Sequence, residues 1–540
     1  MNRPSFQIII PVILAITFVA GIFIGNLLDN DSKQIPTFIQ PKASKFDKIL
    51  ELIGDEYVDV IYEDSLTELA ITEMLEKLDP HSIYIPADIA NAVAEPLEGN
   101  FDGIGVQFNI QNDTILVINT ISGGPAEKVG ILAGDRIVSI NDTIVAGRKI
   151  TNDYVMKNLK GKRGTQVNVG IKRRGYDQIM KFDIVRDKIP LTSLDASYMI
   201  TSEIGFIKIS RFARTTYQEF VDAAKALSAQ GMKSMILDLR GNGGGYLDAA
   251  TNIADEFLAD GEQIVYTEGQ NRPRSEYNAT ANGICESFKV VILVDTWSAS
   301  ASEILAGAIQ DNDRGIVIGR RTFGKGLVQE PIQFRDGSVI RLTTSRYYTP
   351  SGRSIQKPYH GNSMEYEDEI LERMKHGEME YADSIHNGDT LKFQTKNGRT
   401  VYGGGGITPD IFIPVDTIGV TSFYKRVAAE GIIYRFALQY SDNHREALKG
   451  MKDLKSFENY LDKQNIWSSF ITYAQKAKIN TQSISSDTKH LINTQIKAYV
   501  VRNFLDENNF FKVFQSDDKA ILKATDYLQT NSKYDSILKP

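Results

Sequence analysis

Ser300 and Lys325 stand 25 positions apart within WSASASEILAGAIQDNDRGIVIGRRTFGKGLVQ, the stretch from Trp297 to Gln329. A serine hydroxyl barely ionises at neutral pH and attacks a carbonyl only when a neighbouring base takes its proton. No histidine lies between Lys188 and Tyr359, so an imidazole has no local source. A lysine does this work once desolvation lowers its pKa, and serine–lysine pairs are a known variant of the hydrolytic triad. Lys325 lies between Gly324 and Gly326, with Phe323, Leu327 and Val328 as apolar neighbours, a setting compatible with burial. The chemistry expected of this pair is acyl transfer through a serine nucleophile.

Blander readings compete at each position. Spacing alone does not choose among Ser298, Ser300 and Ser302. Ser300-Ala301-Ser302-Glu303 also spells a capping box at a helix start. The two roles are compatible, because exposed N–H groups at that end favour a developing oxyanion; Ala301 N–H is one expected donor. Gly319-x-x-x-x-Gly324-Lys325 approaches a P-loop, but Gly326 replaces the magnesium-binding hydroxyl and a β-pattern follows. Gly241 to Tyr246 likewise misses a dinucleotide fingerprint, since Tyr246 replaces the last glycine. Cys285 is the only cysteine and the six histidines are scattered, so neither a disulfide framework nor a metal site is expected.

The elements that must position these groups are spread over 540 residues, enough for roughly three or four domains. An apolar fraction of 42% and a net charge of −7 describe ordinary globular protein without a basic footprint for nucleic acid. Ile8 to Leu28 is free of charge and long enough to span a bilayer as a helix, with Arg3 before it and Asp29 and Asp31 after. Residues 1–29 are therefore expected to be a membrane anchor or signal sequence, placing the working domains outside the cytoplasm, in the cell envelope. Residues 30–98 show helical periodicity, and from Gly99 the texture becomes short β-rich runs. Gly103-Ile104-Gly105-Val106, Gly123-Gly124-Pro125-Ala126-Glu127-Lys128 and Gly134-Asp135-Arg136-Ile137 together resemble a PDZ domain over 99–188. Gly103, Ile104, Gly105 and Val106 are then candidates for gripping the free C-terminus of a protein chain, with a strand edge to receive its last residues. Lys160, Lys162 and Arg163 form a basic turn able to contact the core.

Beyond Lys188 strands and helices alternate, which argues for an α/β layer on a partly parallel sheet. Residues 358–400 interrupt this pattern with charge and read as a surface insertion; 413–540 read as a helical extension with aromatic-rich amphipathic stretches. Leu78-Asp79-Pro80-His81-Ser82, Leu237 to Gly245, the Ser300 and Lys325 segments, Tyr347 to Arg353 and Gly403 to Pro409 together resemble the carboxyl-terminal processing peptidases, or tail-specific proteases, over roughly 45–412. The resemblance implies a multidomain α/β and β fold: a crotonase-like core over 189–412, a PDZ domain before it, and helical segments at both ends. It also implies Ser300 as nucleophile, Lys325 as general base, Gln329 as the residue orienting that lysine, and Gly244 as the second oxyanion donor. No cofactor is implied. Expected partners are protein substrates with accessible C-terminal tails, the membrane through the N-terminal run, and a possible second copy of the chain. The competing function is a non-catalytic PDZ adaptor or chaperone whose dyad never assembles.

Overall fold

The computed structural model describes residues 44–121, 123–359, 361–385 and 391–539; the charge-free run Ile8–Leu28 lies outside them. Among the described residues no helix is long and apolar enough to cross a membrane. The chain divides into two units, residues 1–71 and 72–540. In the first, helix Lys45–Glu56 starts on a reciprocal capping box between Ser44 and Asp47 and has no buried residue.

The centre of the second unit is a six-stranded sheet in the order Leu194–Met199, Ile204–Ile209, Ser234–Asp238, Lys289–Val294, Ile316–Gly319, Ile411–Phe412. Every neighbouring pair is parallel except the first hairpin. Strands in such a sheet are covered on both faces and lose the alternation of polar and apolar residues; Ser234–Asp238 is buried at every position. On one face Ile207, Leu237, Ile292 and Val317 pack with Phe220, Ile253 and Leu305, from helices Thr216–Ala229, Leu247–Asp255 and Ala301–Asp311. On the other, Phe206, Ile236, Val291, Leu293 and Ile318 meet Ile521, Ala524, Leu528 and Tyr534. Those residues belong to helices Lys519–Gln529 and Asn531–Ile537. The last part of the helical extension thus supplies the second layer of the core. Earlier in the extension, an aromatic cluster including Phe436, Phe457 and Phe470 gives residues 422–514 a core of their own.

A second, antiparallel sheet joins Ile83–Ile85, Val339–Tyr348, Gln263–Gly269 and Arg272–Asn278, with Leu327–Gln333 also paired to Val339–Tyr348. This pairing brings the Asp79–Ser82 segment beside the hairpin that follows Lys325. The β-rich region after Gly99 forms a separate sheet in the order Val106–Gln111, Thr114–Thr120, Arg136–Ile140, Gln166–Lys172, Met180–Val185, around Ile115, Val117, Ile137 and Val155. It leans on the C-terminal bundle, where Arg174 Nη1 donates to the Asp442 carbonyl at 2.8 Å. Of its basic turn, Lys160 pairs with Glu95 on helix Ala87–Glu98, and Arg163 with Asp187 at 2.6 Å.

The 358–400 stretch packs onto the protein along one face: helix Ser363–Lys375 buries Tyr366, Ile370 and Arg373 and leaves most of its other positions exposed. Arg321–Glu378 and Arg373–Glu369 neutralise its charges inside the protein.

The recurring motifs after Tyr347 act on the far end of helix Ala301–Asp311. Arg353 reaches Asp311 Oδ1 at 2.7 Å, Gln310 Oε1 at 2.8 Å and the Tyr402 carbonyl at 2.8 Å. Both charges of the Arg353–Asp311 pair are wholly buried. Removing one partner of such a pair leaves an uncompensated charge in low dielectric. Arg353→Met is therefore expected to lose about 3–5 kcal/mol of stability, seen as a lower urea midpoint.

Candidate active site

The turn from strand Lys289–Val294 into helix Ala301–Asp311 holds three serines in different states. Ser298 Oγ donates to the Leu239 carbonyl and Ser302 Oγ to the Asn242 carbonyl, each at 2.9 Å, and both residues are fully buried. Ser300 is partly exposed and lines a cavity of about 660 Å³ together with Lys325, Gln329, Gly244 and Arg341. Its backbone sits at φ +56°, ψ −114°, a region that L-residues avoid and that costs of order 1–3 kcal/mol. Of the capping box only the Glu303 half is made, its carboxylate accepting from the Ser300 N–H, with no cap hydrogen bond to the Ser300 hydroxyl. The Glu303 N–H goes to the Ser300 carbonyl instead, at 2.8 Å. The nucleophilic candidate is thus the unengaged serine of the three.

The other half of the box has a larger role. Glu303 is fully buried, and its Oε2 accepts from Ser300 N–H at 2.8 Å and from Lys325 N–H at 2.9 Å. Its Oε1 accepts from Gly324 N–H at 2.7 Å and Thr322 Oγ1 at 2.5 Å. Burial pushes this carboxyl up to about 7, against the four donors that favour its charged form. One carboxylate therefore ties the backbones of both candidate reacting residues. Tyr347 adds a second tie: its hydroxyl lies 2.6 Å from the Lys325 carbonyl oxygen and 3.1 Å from that of Ser300.

Lys325 Nζ makes no hydrogen bond or ion pair among the described residues. Burial, helped by the positive charge of Arg341, brings its pKa down to about 8, while Glu303 and Asp79 oppose the shift. Gln329 lines the same cavity, but its Nε2 donates to Thr343 Oγ1 at 3.4 Å rather than to the lysine. Thr343 Oγ1 in turn donates to Asp79 Oδ1 at 3.2 Å and its N–H to Ser82 Oγ at 3.1 Å. His81 also belongs to this side of the site. Burial first, then the charge of Lys325, push it down to about 4, so it is neutral at pH 7. The sequence marks this histidine only as part of the Leu78 to Ser82 segment of the resemblance and gives it no role; it arrives from 244 positions before Lys325.

Gly244 is placed beside the serine but does not have a spare donor. A Cβ there would lie 2.7 Å from Ser300 Cβ, so only glycine fits, at φ +101°. Its N–H is already given to Asn242 Oδ1 at 2.8 Å, and the expectation that it is an oxyanion donor is amended accordingly. Among the described residues, the cavity-lining N–H groups without a partner include those of Ala301 and of Gly243. No group of three or more His, Cys, Asp or Glu among these residues could hold a metal ion.

The candidate peptide-gripping loop is separate. Strand Val106–Gln111 lies at the edge of its sheet, and the N–H groups of Ile104 and Gly105 have no partner among the described residues. Ile104 itself is buried in the domain core, so only its backbone is available to a ligand.

Peptidase family S41 matches residues 203–361, a PDZ domain matches 103–184, and a family of unknown function matches 423–506. The carboxy-terminal-processing protease of Bartonella bacilliformis is 36% identical over 350 residues, covering 63% of this chain and 80% of that protein. The carboxy-terminal processing protease CtpB of Bacillus subtilis is 34% identical over 351 residues, 63% of this chain and 72% of its own. The solved photosystem II D1 C-terminal processing protease shares 30% identity across 58% of this chain and 84% of that one. Its TM-score of 0.34 is too low for its arrangement to be carried over.

Glu303→Gln would set an NH2 group against N–H or O–H donors whichever way the amide turns. The expected result is a loss of about 1–3 kcal/mol in urea unfolding, with peptide-bond cleavage reduced at least about tenfold in kcat.

Proposed function

The chain belongs to the carboxy-terminal-processing proteases of peptidase family S41, and we propose that Ser300 is its nucleophile and Lys325 the general base. A PDZ adaptor without catalysis, the other reading of the sequence, is set aside by that membership. The observation carrying the proposal is that both side chains face one cavity while their backbones share the Glu303 carboxylate.

The steps follow from the chemistry of the two groups. Neutral Lys325 takes the Ser300 Oγ proton as Oγ attacks the substrate carbonyl, giving a tetrahedral oxyanion. The unpartnered N–H groups of Ala301 and Gly243 are suited to receive that charge, at the positive end of helix Ala301–Asp311. The lysine ammonium then returns its proton to the leaving amine, the acyl-enzyme remains, and water repeats the sequence. Gln329, facing the same cavity, is proposed to orient Lys325 once substrate occupies the site. The free carboxylate of the substrate would bind the Ile104 and Gly105 N–H groups, with its last residues added to the Val106–Gln111 edge. Holding one end raises the local concentration of the scissile segment at Ser300.

Export rests on the charge-free run Ile8–Leu28 alone; we propose a membrane anchor with the catalytic domains in the cell envelope. Recovery of the full-length chain in the soluble fraction after gentle lysis would count against an anchor.

Ser300→Ala and Lys325→Ala are expected to fold with parental urea midpoints and to cleave no tail peptide; near-parental kcat in either would remove the dyad. Lys325 must be neutral to act as base, so activity is lost as pH falls and regained as it rises. The kcat/KM profile is expected to rise with a midpoint near 8. Amidating the C-terminus of a peptide substrate should raise KM at least about tenfold with little change in kcat. Equal KM values would exclude carboxylate capture.

A further inference from the structure

Lys325 has a long, flexible stem and an amine without a partner among the described residues. Its place therefore depends on the peptide groups either side of it. Glu303 fixes the preceding side, through Gly324 N–H and Lys325 N–H. On the following side, Gly326 N–H donates to Gln356 Oε1 at 2.8 Å. Gln356 is held in turn from the inserted helix Ser363–Lys375. Its Nε2 donates to the Tyr366 hydroxyl at 3.1 Å and to the Lys357 carbonyl at 2.9 Å.

The Tyr366 hydroxyl lies 3.0 Å from His81 Nε2. The tautomer of His81 sets the direction of that contact. The donors that bear on the lysine loop run from Gly326 to Gln356 and from Gln356 to Tyr366. The ring is edge-on to both His81 and Phe323, two residues before the lysine, with centroids 5.3 Å and 6.0 Å away. Lys357 Nζ stands over it at 4.0 Å. From the same helix Arg373 donates to the Thr322 and Phe323 carbonyls, at 2.7 Å and 3.3 Å. Thus both flanks of the Lys325 loop are braced by a segment that interrupts the α/β pattern of the core.

We propose that Tyr366, carried by the inserted helix, is a positioning residue for the Lys325 base, acting through Gln356 on the Lys325–Gly326 peptide. It does not line the cavity that holds Ser300 and Lys325. The proposal rests on the Ser300–Lys325 reading above. Tyr366→Phe keeps the ring and its packing but removes the hydroxyl, so Gln356 keeps only the acceptor next to it in the chain, the Lys357 carbonyl, and loses its link to the helix. Misplacing a reacting group by a fraction of an ångström to an ångström costs up to about a hundredfold in rate.

The test measures kcat and KM separately on a tail peptide with the full chain, alongside urea midpoints, for Tyr366→Phe, Gln356→Met and the double variant. The expected result is a kcat about tenfold lower in Tyr366→Phe, KM within about twofold, an essentially parental midpoint, and a double variant no slower than Gln356→Met alone. Parental kcat in Tyr366→Phe overturns the proposal, as does a double variant whose losses multiply, since the two side chains would then act independently. A fall in kcat matched by a lowered midpoint and raised KM also overturns it, by showing a merely structural role. If Ser300→Ala or Lys325→Ala cleaves like the parent, the dyad falls and this proposal with it. Full activity in Tyr366→Phe while those two are inert overturns this proposal alone.

Discussion

One buried carboxylate organises the catalytic half of this molecule. Glu303 gathers four donors from two segments, the Ser300 turn and Thr322 to Lys325, and the Tyr347 hydroxyl and the Phe323 N–H to Ser298 carbonyl bond tie the same two segments. A buried anion is tolerated only when its lone pairs are filled, and here the donors that fill them belong to the residues that must be brought together. The requirement that stabilises the charge and the requirement that aligns the site are therefore the same requirement. At the other end of the helix, Arg353 clasps Asp311 and Gln310. A short helix fixed at both ends gives the strained Ser300 backbone somewhere rigid to be strained against.

The parts of this site that sequence reveals are those built from local pattern. A serine before an apolar helix, a lysine between glycines, and a glycine loop after a buried strand each advertise themselves within ten residues. Glu303 was visible too, but as the cap of its own helix rather than as a tie between segments. Asp79, His81, Thr343 and Tyr366 meet around the lysine from stretches far apart in the chain, and nothing local to any of them specifies that meeting. Gly244 illustrates a different limit. Backbone freedom marks where a loop comes close, but an N–H two positions after an asparagine is readily taken by that side chain, as Asn242 does here.

Charge was the most misleading signal. The 358–400 stretch is rich in charged residues, Glu above all, and so resembles a solvated surface. Arg373 and Glu378 within it are nonetheless buried, Arg373 beside Glu369 and the Thr322 carbonyl and Glu378 beside Arg321. Composition reports how many charges a segment has; burial depends on whether each finds its opposite, and that is a property of three dimensions. The C-terminal helices show the converse. Their amphipathic faces were legible, whereas the surface awaiting them was not, because the strands they cover read as buried whichever element lies on top.

That last arrangement bears on how the chain reaches its native state. The Tyr534 hydroxyl bonds both backbone groups of Val290, 244 positions before it, and its neighbours close the same face of the sheet. Contacts of such separation demand a large loop-closure entropy before any compensating burial is gained. Until residues 520–534 have emerged and docked, Phe206, Val291, Leu293 and Ile318 remain open to water and to one another's copies on neighbouring chains. Completion of the hydrolytic core is thereby deferred to a late step of assembly, in which the sheet that bears the serine is sealed by the segment made long after it.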